Sequence, residues 1–194
     1  MKVFLAEFLH DNPNVSLKDS TPPTVPLGVG YIGATLISQI KNIEVQLFRS
    51  IDALLTELNH NLPDLIGFTY NMWNSDLTLR AITRIKQQAF SLPIVVGGPS
   101  IGNTDVEIAA FFKYCPQVDY VIPSEGEKGI VELVKKIANG GPSGEPVNGV
   151  AYLARPVSNL SSSKQSRNLV PFDSDFKLVR GDYIMPDINE IPSP

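Results

Sequence analysis

Residues 63–98 read PDLIGFTYNMWNSDLTLRAITRIKQQAFSLPIVVGG, and this stretch decides the fold. DLIGFTY (64–70), entered through Pro63, is an apolar run of strand length. DLTLRAITRIKQQA (76–89) places Leu77, Leu79, Ile82 and Ile85 on roughly one helical face, with Arg80, Arg84 and Lys86 expected to point away from it. PIVVGG (93–98) is a second apolar strand that stops at two glycines. A strand, a helix of this length and another strand imply parallel pairing through a right-handed crossover.

The same alternation extends in both directions. KVFLAEF (2–8), EVQLF (44–48) and DYVI (119–122) read as further strands. VGYIGATLISQI (29–40), IDALLTELNH (51–60), DVEIAAFFKY (105–114) and EKGIVELVKKIANG (127–140) read as helices. The predicted fold is therefore α/β: a doubly wound, flavodoxin-like (Rossmann-like) five-stranded parallel sheet with helices on both faces. Such sheets bind ligands at the carboxyl ends of their strands. The places to search are the loops after residues 8, 70, 98 and 122.

Composition narrows the function classes. The chain has 194 residues, and its net charge of −4 argues against a sequence-independent grip on nucleic acid. No apolar run approaches the ~20 residues that span a bilayer. VFLAEFL, with a glutamate inside it and no small-residue cleavage site after it, reads as a strand and not a signal peptide. Cys115 is the only cysteine, which excludes an internal disulfide, a multi-cysteine zinc site and a cysteine-ligated iron–sulfur cluster within this chain. A cytoplasmic setting fits.

Beyond residue 141 the character changes, so residues 1–141 are read as the binding domain and 142–194 as linker, short hairpin and connector. VAYLA (150–154) is a strand, with LVPF (169–172) its expected hairpin partner. RGDYIMPDINEIPSP is expected to be no packed element but a connector leading onward.

Gly28, Gly30 and Gly33 spell G-x-G-x-x-G, but a dinucleotide fingerprint needs its first glycine immediately after the first strand. Here about eighteen residues intervene, and the second strand ends in Arg49 and Ser50 instead of a ribose-binding acid. The glycines are better read as letting a helix begin close to the sheet or to a bulky ligand. After the fourth strand, Gly97, Gly98 and Pro99 form either a tight turn or a surface for a ligand lying against the main chain. Ser124 and Glu127 have capping-box spacing, which leaves Glu125 and Gly126 free at the same edge. Thr69, Tyr70, Asn71, Met72 and Trp73 end the third strand, Trp73 being either a packing residue or a ligand shelf. A phosphoacceptor receiver would need an aspartate after the third strand and a lysine after the fifth. Thr69-Tyr70 and Pro123 stand there instead. The two histidines, His10 and His60, assemble no catalytic set, and His60 reads as a solvated helix end.

Taken in order, PLGVGYIGATL, PDLIGFTYNMWNS, PIVVGGPS, VDYVIPSEGE, NGVAY and INEIPSP resemble the N-terminal cobalamin (vitamin B12)-binding domain of cobalamin-dependent radical S-adenosylmethionine proteins. The resemblance spans nearly the whole chain. It implies that the cofactor's nucleotide tail lies at the carboxyl edge of the sheet. Thr69 and Asn71 would then face the cofactor, with Gly97, Gly98 and Pro99 lining the tail. Ser124, Glu125, Gly126 and Glu127 would close over it, and Pro26, Leu27, Gly28 and Tyr31 would begin the first helix beside it. The family often has glycine where Ser124 stands.

In that family a barrel with a C-x-x-x-C-x-x-C motif follows, binding S-adenosylmethionine and a 4Fe–4S cluster. One cysteine cannot supply such a motif, so the chain is expected to be a cut domain or a stand-alone binder, without turnover by itself. The implied activity of the full protein is methyl transfer to an unactivated carbon, or a radical rearrangement or cyclisation. A cobalamin carrier or sensor and a flavin or nucleotide module are the alternatives. A gene continuing past Pro194 into a three-cysteine motif would separate enzyme from carrier.

Histidine-ligated cobalamin modules carry D-x-H-x-x-G after the first strand. Phe8 and Pro13 stand where the aspartate and glycine would be around His10, so no metal ligand is expected. The cofactor is expected base-off, its lower face covered by the Tyr70–Asn74 loop and kept dry by Trp73 or Tyr70. Gly98→Leu is expected to remove the cofactor and leave the fold intact.

Overall fold

The computed structural model describes residues 1–8, 26–154, 176–185 and 187–193. The elements follow the predicted alternation: β1 (Lys2–Ala6), α1 (Leu27–Gln39), β2 (Glu44–Phe48), α2 (Ile51–Leu58), β3 (Leu65–Thr69), α3 (Ser75–Gln88), β4 (Ile94–Gly97), α4 (Asp105–Tyr114), β5 (Tyr120–Ile122) and α5 (Glu127–Ala138). β6 (Ala151–Ala154) and β7 (Lys177–Arg180) follow, then a 3-10 turn at Ile188–Glu190.

All strands join one seven-stranded sheet in the order β2-β1-β3-β4-β5-β6-β7. β1 to β5 are parallel, in the flavodoxin-like order. The chain leaves β1 toward β2 on one side and returns to β3 on the other, so the topological switch lies between β1 and β3. The sheet is apolar on both faces, as a doubly covered parallel sheet must be. Phe4, Ala6, Ile66, Phe68, Ile94 and Val96 pack with residues of α2, α3 and α4. Val3, Leu5, Leu65, Val95 and Ile122 pack with residues of α1 and α5, which touch each other on that face.

The hairpin is part of this sheet. β6 runs antiparallel to β5, with Tyr120 opposite Tyr152, and β7 runs antiparallel to β6. The strand beside β6 is Lys177–Arg180, while LVPF lies outside the described residues. The stretch before β6 is tied down as well: the Tyr152 hydroxyl donates to the Glu145 carbonyl at 2.6 Å, and Val147 is buried.

One side chain reverses its expected direction. Lys86 turns inward and donates from Nζ to Asp119 at 2.7 Å and to the Leu92 carbonyl at 2.8 Å. Asp119 also accepts from the Ile94 N–H at 2.8 Å, so the pair locks the amino ends of β4 and β5 opposite the ligand edge. Helical spacing identified the apolar face of α3 but not this long stem, whose methylenes reach across a helix while its charge finds carbonyls.

Candidate functional site

Parity along the strands builds the site. Successive side chains of a strand point to opposite faces, so residues two apart share one. On the α1/α5 face the strand ends deliver Leu5 and Glu7, Gly67, Thr69 and Asn71, Val95 and Gly97, and Ile122 and Ser124. All of them line a cleft of about 330 Å3 at the carboxyl edge. One wall is the first turns of α1, with Gly28, Val29 and Ile32; the other is the start of α5, with Gly126, Glu127 and Ile130. Gly98, Pro99 and Glu125 complete the rim. The cleft therefore opens where the topology reverses.

Ten of the residues expected from the sequence meet here: Gly28, Thr69, Asn71, Gly97, Gly98, Pro99, Ser124, Glu125, Gly126 and Glu127. Tyr70, Trp73, Pro26, Leu27 and Tyr31 do not line the cleft. Tyr70 shares its strand parity with Phe68 and faces the opposite layer, where its ring meets Phe111 edge-on at 5.1 Å. Pro26 is buried, whereas Leu27 and Tyr31 point to solvent. Trp73 is 59% exposed and its neighbour Met72 82% exposed, so neither is the packing residue a lone tryptophan suggests. The loop carrying them is nonetheless firmly held. The Asn71 N–H donates to Asn74 Oδ1 at 2.8 Å, and Asn74 Nδ2 donates to the Thr69 carbonyl at 3.2 Å, with Asn74 fully buried. His10 lies outside the described residues.

Three features of the site were not read from the sequence. Gly67 forms part of the floor, and a β-carbon there would sit 2.7 Å from Leu5 Cδ2. Its signal was a lone glycine inside an apolar strand, which marks close approach. Glu7 is the second: a carboxylate just past β1, beside the switch point. Burial raises its pKa, while an N–H donated by Val29 opposes the rise. The third is the fate of the predicted capping box. The N-cap of α5 is Gly126, without a side-chain cap bond. Ser124 takes a φ of +66° and turns its hydroxyl to Asn103 Oδ1 at 2.9 Å. Glu127 is thereby released from capping, and its Oε2 is buried without a partner. A reciprocal capping box does exist on α4, between Thr104 and Glu107.

The left-handed backbone at Ser124 explains why a glycine suits this position. Ser124→Gly is expected to be more stable than Ser124→Ala by about 1 kcal/mol in urea unfolding. Both variants lose the bond to Asn103, so the comparison isolates the backbone. Equal stabilities would show that the left-handed conformation is not kept.

The segment after β7 returns to this edge. The Tyr183 hydroxyl bonds the Glu125 carboxylate, Lys128 pairs with Glu190 at 3.4 Å, and the Gly149 N–H donates to the Asp182 carbonyl at 2.7 Å. The bond to Tyr183 holds Glu125 below the usual carboxylate range, and the same carboxylate pushes Tyr183 up to about 12. The expected connector is thus fastened along the α5 side of the cleft. Among the described residues no helix is long and apolar enough to cross a membrane, and no cluster of three or more His, Cys, Asp or Glu could hold a metal ion.

No family model and no curated protein sequence matches the chain. Solved structures do. The chain is similar to the cobalamin-dependent S-adenosylmethionine radical enzyme OxsB with aqua-cobalamin and S-adenosylmethionine bound, with a TM-score of 0.68 at 20% identity. All of this chain is covered, against 24% of that one. The apo, selenomethionine-labelled form of OxsB gives a TM-score of 0.65 at 19% identity over the same shares. The RcsB response regulator of Salmonella typhimurium gives 0.50 at 19% identity, covering 73% of this chain and 61% of that one. At these identities the likeness is one of fold, and the chain spans about a quarter of the length of OxsB. Thr69-Tyr70 and Pro123 occupy the strand ends where a phosphoacceptor receiver would need an aspartate and a lysine.

Proposed function

We propose that the chain is a cobalamin-binding module of a cobalamin-dependent radical S-adenosylmethionine enzyme, holding the cofactor's nucleotide tail in the cleft between α1 and α5. One observation carries this reading: four of the six motifs that resemble the family, scattered over a hundred residues of sequence, converge on a single cleft at the switch point. The OxsB structures with aqua-cobalamin bound share the fold over the whole of this chain. Gly28 leaves the α1 wall open, since among the described residues a β-carbon there would have only Glu7 Oε2 nearby, at 3.5 Å. The aliphatic floor accepts an apolar ring, and the unpartnered oxygens of Glu7 and Glu127 accept hydrogen bonds.

The lining also bears on the flavin or nucleotide alternative. Among the described residues it contains Glu7, Glu125 and Glu127 and no lysine, arginine or histidine. A free nucleotide or flavin phosphate, dianionic at neutral pH, would meet these three carboxylates beside the N-termini of α1 and α5. Cobalamin's single phosphodiester is offset by its own cobalt centre, so the same acidic rim tolerates it.

Bound cobalamin supplies an organometallic cobalt centre able to carry a methyl group or tune a radical. The chain's part is to hold and orient it and to keep water away. We place the corrin over the loops after β3, β4 and β5, with exposed Trp73 against its lower face, base-off and without protein histidine. His60, the histidine among the described residues, is exposed at the end of α2, on the opposite layer. S-adenosylmethionine and a 4Fe–4S cluster would belong to a following barrel, which would also read the substrate.

The test is to mix the chain with hydroxocobalamin, pass it through gel filtration and record the visible spectrum. Stoichiometric co-elution with a base-off spectrum, unchanged in His10→Ala, is expected. Clean separation of protein and cofactor at micromolar concentration would overturn the reading. Nitrogen splitting in the cobalt(II) spin resonance that disappears in His10→Ala would move the chain to the histidine-ligated class.

A further inference from the structure

The cleft is apolar except for a few groups, and two of its atoms are buried polar oxygens without a partner among the described residues: Glu7 Oε2 and Glu127 Oε2. Native structures rarely leave such atoms unmatched unless a ligand, ion or water completes them. Glu7 is the better placed of the two to read a ligand. It follows β1 at the switch point and shares strand parity with Leu5, so its carboxyl lies at the floor of the cleft and not on its rim. The Val29 N–H, in the first turn of α1, faces the carboxylate and opposes the rise that burial causes in its pKa. The free oxygen faces Gly28, where the absent side chain leaves space. Much of the cleft lining is aliphatic, with Leu5, Val29, Ile32, Val95 and Ile130, and among the described residues no group bonds the free oxygen.

A partner for this oxygen must be flat or slender enough for an aliphatic slot and must carry one hydrogen-bonding atom. A base released from cobalt offers such an atom, because its ring nitrogen regains a free lone pair. Burial raises the Glu7 pKa above that of an ordinary carboxyl. Carboxylic acid donating to neutral nitrogen, and carboxylate accepting from protonated nitrogen, both satisfy each partner with a single proton.

We infer, resting on the reading that the cleft takes the nucleotide tail, that Glu7 is the specificity-determining residue for the tail's base: it holds a base with a free ring nitrogen and rejects a ring that has none. A site built to hydrogen-bond a group discriminates against the analogue lacking it, because its own buried atom is then left unpaired.

The test compares binding of cobalamin, whose base is a benzimidazole, with binding of the cobamide whose tail ring is p-cresol, which has no nitrogen. Retention is measured by equilibrium dialysis with the visible spectrum recorded. The wild-type chain is expected to bind cobalamin about tenfold or more tighter. Glu7→Gln should keep the preference, since its amide oxygen can take the Val29 N–H while its NH2 donates to the ring nitrogen. Glu7→Leu should bind cobalamin about tenfold more weakly and the cresolyl cobamide no worse than wild type does. Equal affinity of the wild type for both cobamides, or an equal loss for both in Glu7→Leu, would overturn the role of Glu7 while leaving the cobalamin reading in place. Binding of neither cobamide by the wild type would overturn both.

Discussion

Replacing Gly28 by leucine is expected to lower cobalamin retention at least a hundredfold while leaving the melting temperature unchanged or slightly higher. The two halves of this result have separate causes. Gly28 lies in the first turn of α1, where a glycine is a poorer helix former than leucine by about 0.5–1 kcal/mol at most positions. Among the described residues a β-carbon at this place meets only Glu7 Oε2 at 3.5 Å, an ordinary contact, so the fold accepts the side chain. Gly28 lines the cleft, so a leucine side chain there would take up space in place of the tail. A hundredfold loss corresponds to about 2.7 kcal/mol, which a displaced buried ring readily exceeds. Gly28→Ala is expected to fall between the two. The measurement is equilibrium dialysis against hydroxocobalamin beside a thermal melt followed by circular dichroism. Retention equal to wild type would remove the tail from the α1/α5 cleft.

The layered α/β fold was legible because the central parallel strands β1, β3 and β4 are buried on both faces and therefore read as short apolar runs. The strand EVQLF coincides with β2, and DVEIAAFFKY with α4. The hairpin was less legible. VAYLA could be seen, but Lys177–Arg180 offers no apolar run, and its place in the sheet is set by the ladder to β6 and by the pairing of Arg180 with Asp105 at 2.8 Å. In the site, the loops were found by topology and the side chains by resemblance. What both overlooked was strand parity: Thr69 and Asn71 fall on the cleft face, so Tyr70 between them had to face Phe111. The same count of two from Leu5 reaches Glu7, a carboxylate that at first reading served only to argue against a signal peptide. Ser124 shows the limit of spacing arguments. Its distance from Glu127 fits a capping box, and only the backbone angle, with φ at +66°, decides that the hydroxyl goes elsewhere.

Gly98→Ala is expected to destabilise the fold by about 3–5 kcal/mol, a loss of roughly 10 °C in melting temperature for a chain of this size. The sequence suggested that a side chain at Gly98 would displace the cofactor and leave the fold intact; the geometry reverses this. Gly98 has a φ of +124°, a region that side chains of L-residues rarely enter. A β-carbon built there lies 2.5 Å from the Tyr70 carbonyl oxygen, 3.0 Å from its nitrogen and 3.1 Å from its carbonyl carbon. All three are main-chain atoms, so no rotamer change can relieve the contact. Tyr70 cannot retreat either. Its N–H is bound to the Gly97 carbonyl at 2.7 Å, its ring is packed on Phe111, and Asn74 holds the carbonyl of Thr69 before it. The carboxyl ends of β3 and β4 must therefore separate, which opens the floor of the cleft along with the core beneath it. Cofactor loss in Gly98→Leu would report this unfolding and not a blocked site, whereas Gly28→Leu keeps the two effects apart. Gly97 is the internal control: its β-carbon would meet the Ile122 carbonyl oxygen at 3.3 Å without a left-handed φ, so Gly97→Ala should cost no more than about 1 kcal/mol. Urea unfolding of the two alanine variants decides the matter. A Gly98→Ala midpoint within error of that of Gly97→Ala would mean that the two strand ends are not held against each other as described.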